Sequence, residues 1–133
     1  MTKTEHFSVK ISNKPGEGAR VLGSLRDEGV NFTGIWGYQK NSRAALLELL
    51  PQDGKAFTKA AKKLGLDFSP ALSAFVFDGL DHPGAVAESL QKLAGTGINV
   101  VAVQALCAGE GRYGAAVMVA KEDARKAAKA LGA

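Results

Sequence analysis

Two stretches 68 residues apart carry polar groups suited to gripping a small zwitterion. Asn13-Lys14-Pro15-Gly16 is followed by Asn31, and Asp81-His82-Pro83-Gly84 by Asn99. A Pro-Gly pair that opens a helix leaves backbone N–H groups unpaired and concentrates partial positive charge, which suits a carboxylate. Asn and Asp side chains supply donors and acceptors for an ammonium group or a second carboxylate oxygen. The competing reading of Asn13 and Asp81 is helix capping, which both residue types do well. For Asn31 and Asn99 it is an Asn turn after a glycine cap, although neither capping nor a core requires an Asn twice. His82 lies in the second loop, where it either touches the ligand or is a helix-entry residue with no partner. With Asp81 it offers too few ligands for a metal.

Other chemistries find little support. Gly16-Glu17-Gly18 before a helix has the look of a dinucleotide loop, but the next glycine is Gly23 and the second copy keeps only Gly84. There is no phosphate loop, paired cysteine or His-Glu helix motif, and His6 and His82 are the only histidines. The single cysteine, Cys107, cannot form an internal disulfide and sits in an apolar run from Val100, so a packed structural thiol is expected rather than a nucleophile. The net charge of +4 raises nucleic acid, but Lys55, Lys59, Lys62, Lys63 and Lys121, Lys126, Lys129 alternate with alanines at helical spacing, as on a solvated helix face. Apolar residues at 46% and charged residues at 23% place the chain among globular proteins. No apolar run approaches a membrane span or a signal peptide, so no membrane partner and a cytoplasmic location are expected.

The elements that must position these groups occur twice. Residues 13–31 laid over 81–99 match without a gap at seven positions, including Leu22 on Leu90, Leu25 on Leu93 and Gly29 on Gly97. Such a period means two copies of one supersecondary unit, with domains expected at 1–70 and 71–133. In the first, residues 6–12 alternate apolar and polar as a half-buried strand, and Ala19, Leu22 and Leu25 mark a helix from Pro15 to Gly29. Strands follow over 30–38 and 43–50, a helix over 55–64, and a short strand over 66–68. The second copy reads the same, with strands at 73–78, 98–107 and 113–120 and helices at 83–94 and 122–131, but lacks the last strand.

The expected fold class is α+β: two ferredoxin-like βαββαβ units, antiparallel sheets joined side by side with helices on one face. Strand order 4-1-3-2 leaves the second strand of each unit at an edge, and pairing 32–38 with 100–106 would hide these apolar edges. The missing last strand would leave one side of 74–78 open, to be covered by 66–68 or by a second chain.

Both loops, with Leu22, Leu25, Gly29-Val30-Asn31 and their second-copy equivalents, resemble the ACT domain, a regulatory module of amino-acid biosynthetic enzymes. The resemblance covers essentially the whole chain. It implies a non-enzymatic amino-acid sensor that acts on a separate enzyme, without cofactor, and forms a homo-oligomer. It places the ligand-contacting loop on Asn13, Pro15, Gly16 and on Asp81, Pro83, Gly84, and the contact after the first helix on Asn31 and Asn99. An RNA-binding or protein-interaction module of ferredoxin-like fold is the alternative. Against RNA, the third strands, Arg43-Ala44-Ala45-Leu46-Leu47 and Tyr113-Gly114-Ala115-Ala116-Val117, show no Lys/Arg-Gly-Phe-type motif of the kind that carries stacking aromatics in RNA-recognition domains. A hydrolase of acylphosphatase shape would want an Arg in a phosphate-cradling loop, whereas Arg20 and Arg26 fall within the helix.

Overall fold

The computed structural model describes residues 1–132. Contacts divide the chain into two compact units, Thr4–Ala71 and Leu72–Ala133 together with Met1–Lys3. The first holds β1 (Thr2–Ser12) from Thr4 onward, α1 (Glu17–Asp27), β2 (Phe32–Gln39), β3 (Ala44–Pro51), α2 (Gly54–Lys63) and β4 (Asp67–Phe68). The second holds β5 (Leu72–Leu80), α3 (Ala85–Ala94), β6 (Ala102–Gly109), β7 (Arg112–Val119), a single 3-10 turn (Lys121–Asp123) and α4 (Ala124–Leu131). No strand follows α4 among the described residues.

In the first unit the strands run in the order β2-β3-β1-β4, all antiparallel. The period-2 alternation of β1 sends Phe7 and Val9 into a core with Leu47 and Leu49 of β3. Val21 and Leu25 of α1 and Phe57, Ala60 and Ala61 of α2 fill the same core, so both helices lie on one face of the sheet. The second unit repeats the plan with order β6-β7-β5 and a core of Phe75, Leu93, Ile98, Val117, Val119 and Ala127.

Helix exits were placed by their glycines. Gly29 at φ 79° and Gly97 at φ 77° take the left-handed conformation that closes a Schellman motif. Val30 N–H then bonds to the Leu25 carbonyl at 3.0 Å, and Ile98 N–H to that of Leu93 at 3.3 Å. The entries differ from the expected pattern. Pro15 and Pro83 stand before the first helical turn, not within it, and the caps are Gly16 and Gly84, both left-handed, without any side-chain cap hydrogen bond.

Three further expectations need correction. Cys107, read from its apolar surroundings as packed, is exposed, because β6 is an edge strand whose side chains from Val103 to Gly109 all stay exposed. The strand edges expected to pair with each other carry one ladder each, β2 to β3 and β6 to β7. Asp67–Phe68, a candidate cover for β5, pairs with β1 of its own unit through Val9↔Phe68 and Lys10↔Asp67.

Candidate functional site

The two helix-entry loops share one backbone construction. Asn13 N–H bonds to the Arg43 carbonyl at 3.0 Å, and Asp81 N–H to the Gly111 carbonyl at 2.8 Å, so each loop is tied to the hairpin turn of its own unit. Glu17 N–H reaches Lys14 O and Ala85 N–H reaches His82 O, both at 3.2 Å. The first bonds to the capping glycines come from Arg20 N–H to Gly16 O and Glu88 N–H to Gly84 O. Amides of the residues between, Gly18 and Ala19 in one loop and Val86 and Ala87 in the other, precede the first intrahelical bond and are the donors a carboxylate would use. A Cβ at Gly16 or Gly84 would meet no atom within 4 Å, so the positive φ (82° and 83°), not crowding, is what favours glycine there.

The side chains on this common backbone differ. Asn13 donates from Nδ2 to the Asn41 carbonyl at 3.2 Å, pinning its loop to the β2–β3 turn rather than capping α1. Asp81 borders the same groove as the Cys107 thiol of β6. Partial desolvation, and then this carboxylate, hold the thiol above its usual range. His82 is exposed and its Nδ1–H donates to the Pro83 carbonyl at 2.9 Å.

The second loop lines a groove with most of its expected residues. Asp81, His82 and Gly84 form one side of a cavity of about 370 Å³. Leu106, Cys107 and Tyr113, which the sequence did not single out, face them from the hairpin. In the first unit a hollow of about 590 Å³ sets Lys10, Arg20 and Arg43 against Glu17 and Asp67, but Asn13, Pro15 and Gly16 do not line it.

Asn31 and Asn99 are exposed, and neither side chain has a hydrogen-bond partner among the described residues. Each lies past the far end of its helix. Eleven residues of α1 and ten of α3 span about 16 and 15 Å at 1.5 Å per residue. A single small ligand therefore cannot touch both the loop and the Asn of one unit.

A second polar cluster escaped sequence reasoning. His6 Nε2–H donates to Glu48 Oε2 at 2.7 Å with both side chains buried, and Ser8 Oγ donates to the same carboxylate at 2.6 Å. Tyr38 OH lies 3.5 Å from Glu48 Oε1, and the Trp36 ring stacks on His6 at 5.6 Å and 9°. His6 Nδ1 has no partner among the described residues. The available signal was Glu48 itself, a charge in the middle of Leu46-Leu47-Glu48-Leu49-Leu50. Here Ser8 and His6 hydrogen-bond the carboxylate and not each other, so the cluster knits β1, β2 and β3 together without forming a relay to a nucleophile.

Antiparallel units with paired helices, entered through a Pro-Gly loop and left through Gly-X-Asn, define a ferredoxin-like α+β fold. Solved structures bear this out. Protein BT0572 from Bacteroides thetaiotaomicron superposes with a TM-score of 0.77 at 17% identity, over 96% of this chain and 87% of that one. The regulatory subunit of aspartate kinase from Thermus thermophilus gives 0.69 at 20% identity, over 98% and 90%. Aspartate kinase from Clostridium acetobutylicum gives 0.65 at 18% identity, over 98% of this chain but 33% of the enzyme. No protein-family model matches the sequence, and no curated protein matches it. Among the described residues no group of three or more His, Cys, Asp and Glu side chains could hold a metal, and no helix is long and apolar enough to cross a membrane.

Proposed function

We propose that this chain is a non-enzymatic regulatory protein that binds a free amino acid and acts on a separate enzyme. The observation that carries the reading is the groove beside Asp81, His82 and Gly84, where a carboxylate acceptor and the unpaired amides at the start of α3 border one cavity. An amino acid offers the matching pair, ammonium to Asp81 and carboxylate to the amides. The regulatory subunit whose structure superposes over most of both chains supports a regulatory role in trans.

The site is completed by a second copy of the chain. β2 and β6 each keep an unpaired edge in their own unit, with Ile35, Val103 and Leu106 exposed. An edge joined to another copy buries these residues and brings Asn31 or Asn99 of one copy toward a loop of the other, which the length of the helices forbids within a unit. RNA is a poorer occupant, because, of the β2 aromatics, Tyr38 lies against the Glu48 carboxylate, which repels phosphate, and Trp36 stacks on its partner His6.

Titration calorimetry with the twenty amino acids tests the reading. Asn31→Ala or Asn99→Ala should weaken binding by about 1–3 kcal/mol with little loss of stability, as when a polar partner is left unpaired. Gly16→Val or Gly84→Val should cost more, since the left-handed loop that presents the amides is strained by a β-branched residue. Binding of one amino acid that all four variants leave unchanged places the site elsewhere, and binding of none removes the sensor reading. Sedimentation should show a dimer or larger species.

A further inference from the structure

The second unit's groove has a chemical bias beyond that of an amino-acid backbone. Its walls are built mainly of methyl and methylene groups: Ala85, Val86 and Ala87 from α3, and Ala105 and Leu106 from β6. Asp81 is the only carboxylate among the lining residues, and neither Lys nor Arg is present. The ring of His82 spends its Nδ1–H on the Pro83 carbonyl. Leu106 is 71% exposed, an apolar side chain on the groove that gains by being covered.

These features discriminate between side chains. An acidic ligand would bring a second carboxylate to a wall with no cation to meet it, facing Asp81. A basic ligand would bring two ammonium groups to one carboxylate, and whichever was left would be desolvated without a partner. An apolar side chain lies against Ala87, Ala105 and Leu106 and leaves Asp81 to the α-ammonium. The hollow of the first unit, with Lys10, Arg20, Arg43, Glu17 and Asp67, has the opposite character, so the two units are not interchangeable sensors.

We propose that the groove of the second unit selects an amino acid with a small or branched apolar side chain, its ammonium group held by Asp81 and its side chain by Ala87, Ala105 and Leu106. This rests on the amino-acid reading above and narrows it to a ligand class.

The test is calorimetric titration of the full chain with valine, leucine and isoleucine, beside aspartate, glutamate, lysine and arginine. The apolar set should bind about tenfold or more tightly than any charged one, the scale on which hydrophobic pockets discriminate. Leu106→Glu, and separately Ala87→Glu, should each weaken the apolar ligand by about tenfold or more. Ala87 lies on the helix wall away from the strand edge, and an acid in the first turn of α3 favours the helix, so this variant keeps fold and assembly even if Leu106→Glu does not. Circular dichroism and sedimentation check both. A charged amino acid that binds best overturns the proposal and leaves the sensor reading standing. An apolar ligand indifferent to Ala87→Glu overturns it by placing the site elsewhere. If nothing binds the parent chain, both fall together.

Discussion

Phe57→Ala should destabilise the first unit by about 3–5 kcal/mol, the usual cost of removing a buried aromatic ring and leaving a cavity. Phe57 is fully buried on α2, and its ring centroid lies 4.7 Å from that of Phe7, 5.8 Å from Phe68 and 6.4 Å from Phe32. One side chain thus joins α2 to β1, β2 and β4. A unit of this size holds about 3–10 kcal/mol in total, so the loss consumes much of it. Urea denaturation followed at Trp36, in the same unit, should show the midpoint falling sharply. A loss below 1 kcal/mol would mean that the neighbouring rings collapse into the space, contrary to the close packing described.

Glu48→Ala should cost about 3 kcal/mol or more, because it leaves the His6 Nε2–H and the Ser8 hydroxyl without their buried acceptor. The isosteric Glu48→Gln should cost about 1–3 kcal/mol at pH 7 and carries the sharper readout. Burial pulls the Glu48 carboxyl upward, but the hydrogen bonds from His6 and Ser8, the His6 charge and the Tyr38 hydroxyl together hold it below its ordinary value of 4.5. A carboxylate whose folded value is depressed contributes stability that is fully present above its unfolded value and is lost as pH falls through the folded one. The advantage of the parent over Glu48→Gln should therefore shrink as pH falls below about 4.5. Thermal melts across pH 3–7 measure it, and an advantage that grows on acidification would contradict the ionised network.

Elements with a local cause were legible in the sequence. Helix exits followed from glycines that alone tolerate the Schellman geometry, and β1, β3 and β7 from alternation and apolar runs, with ends shifted by a few residues. β1 begins at Thr2 and not near His6, since Thr2 to Glu5 carry no apolar alternation to mark a strand. What stayed hidden depended on neighbours distant in sequence. The apolar run of β6 suggested burial, yet an edge strand with one ladder leaves Leu106 and Cys107 exposed. The candidate loops were found from spacing, but the groove needed Tyr113 and Cys107 brought across the hairpin, which spacing cannot foretell. Glu48 signalled its oddity without naming His6, 42 residues away.

The helix-entry loops keep the same backbone torsions and the same hydrogen-bonded anchors, 68 residues apart, while differing in the side chains they display. Architecture and chemistry are thereby written in separate letters: Pro, Gly and the main chain hold the frame, and Asn13-Lys14 or Asp81-His82 decorate it. A repeat with this division lets the side chains of one loop change by single substitutions while the frame and its twin stay as they were. If both loops receive ligands as proposed, the chain's output would answer to a ratio of two signals where a single receptor would answer to one concentration.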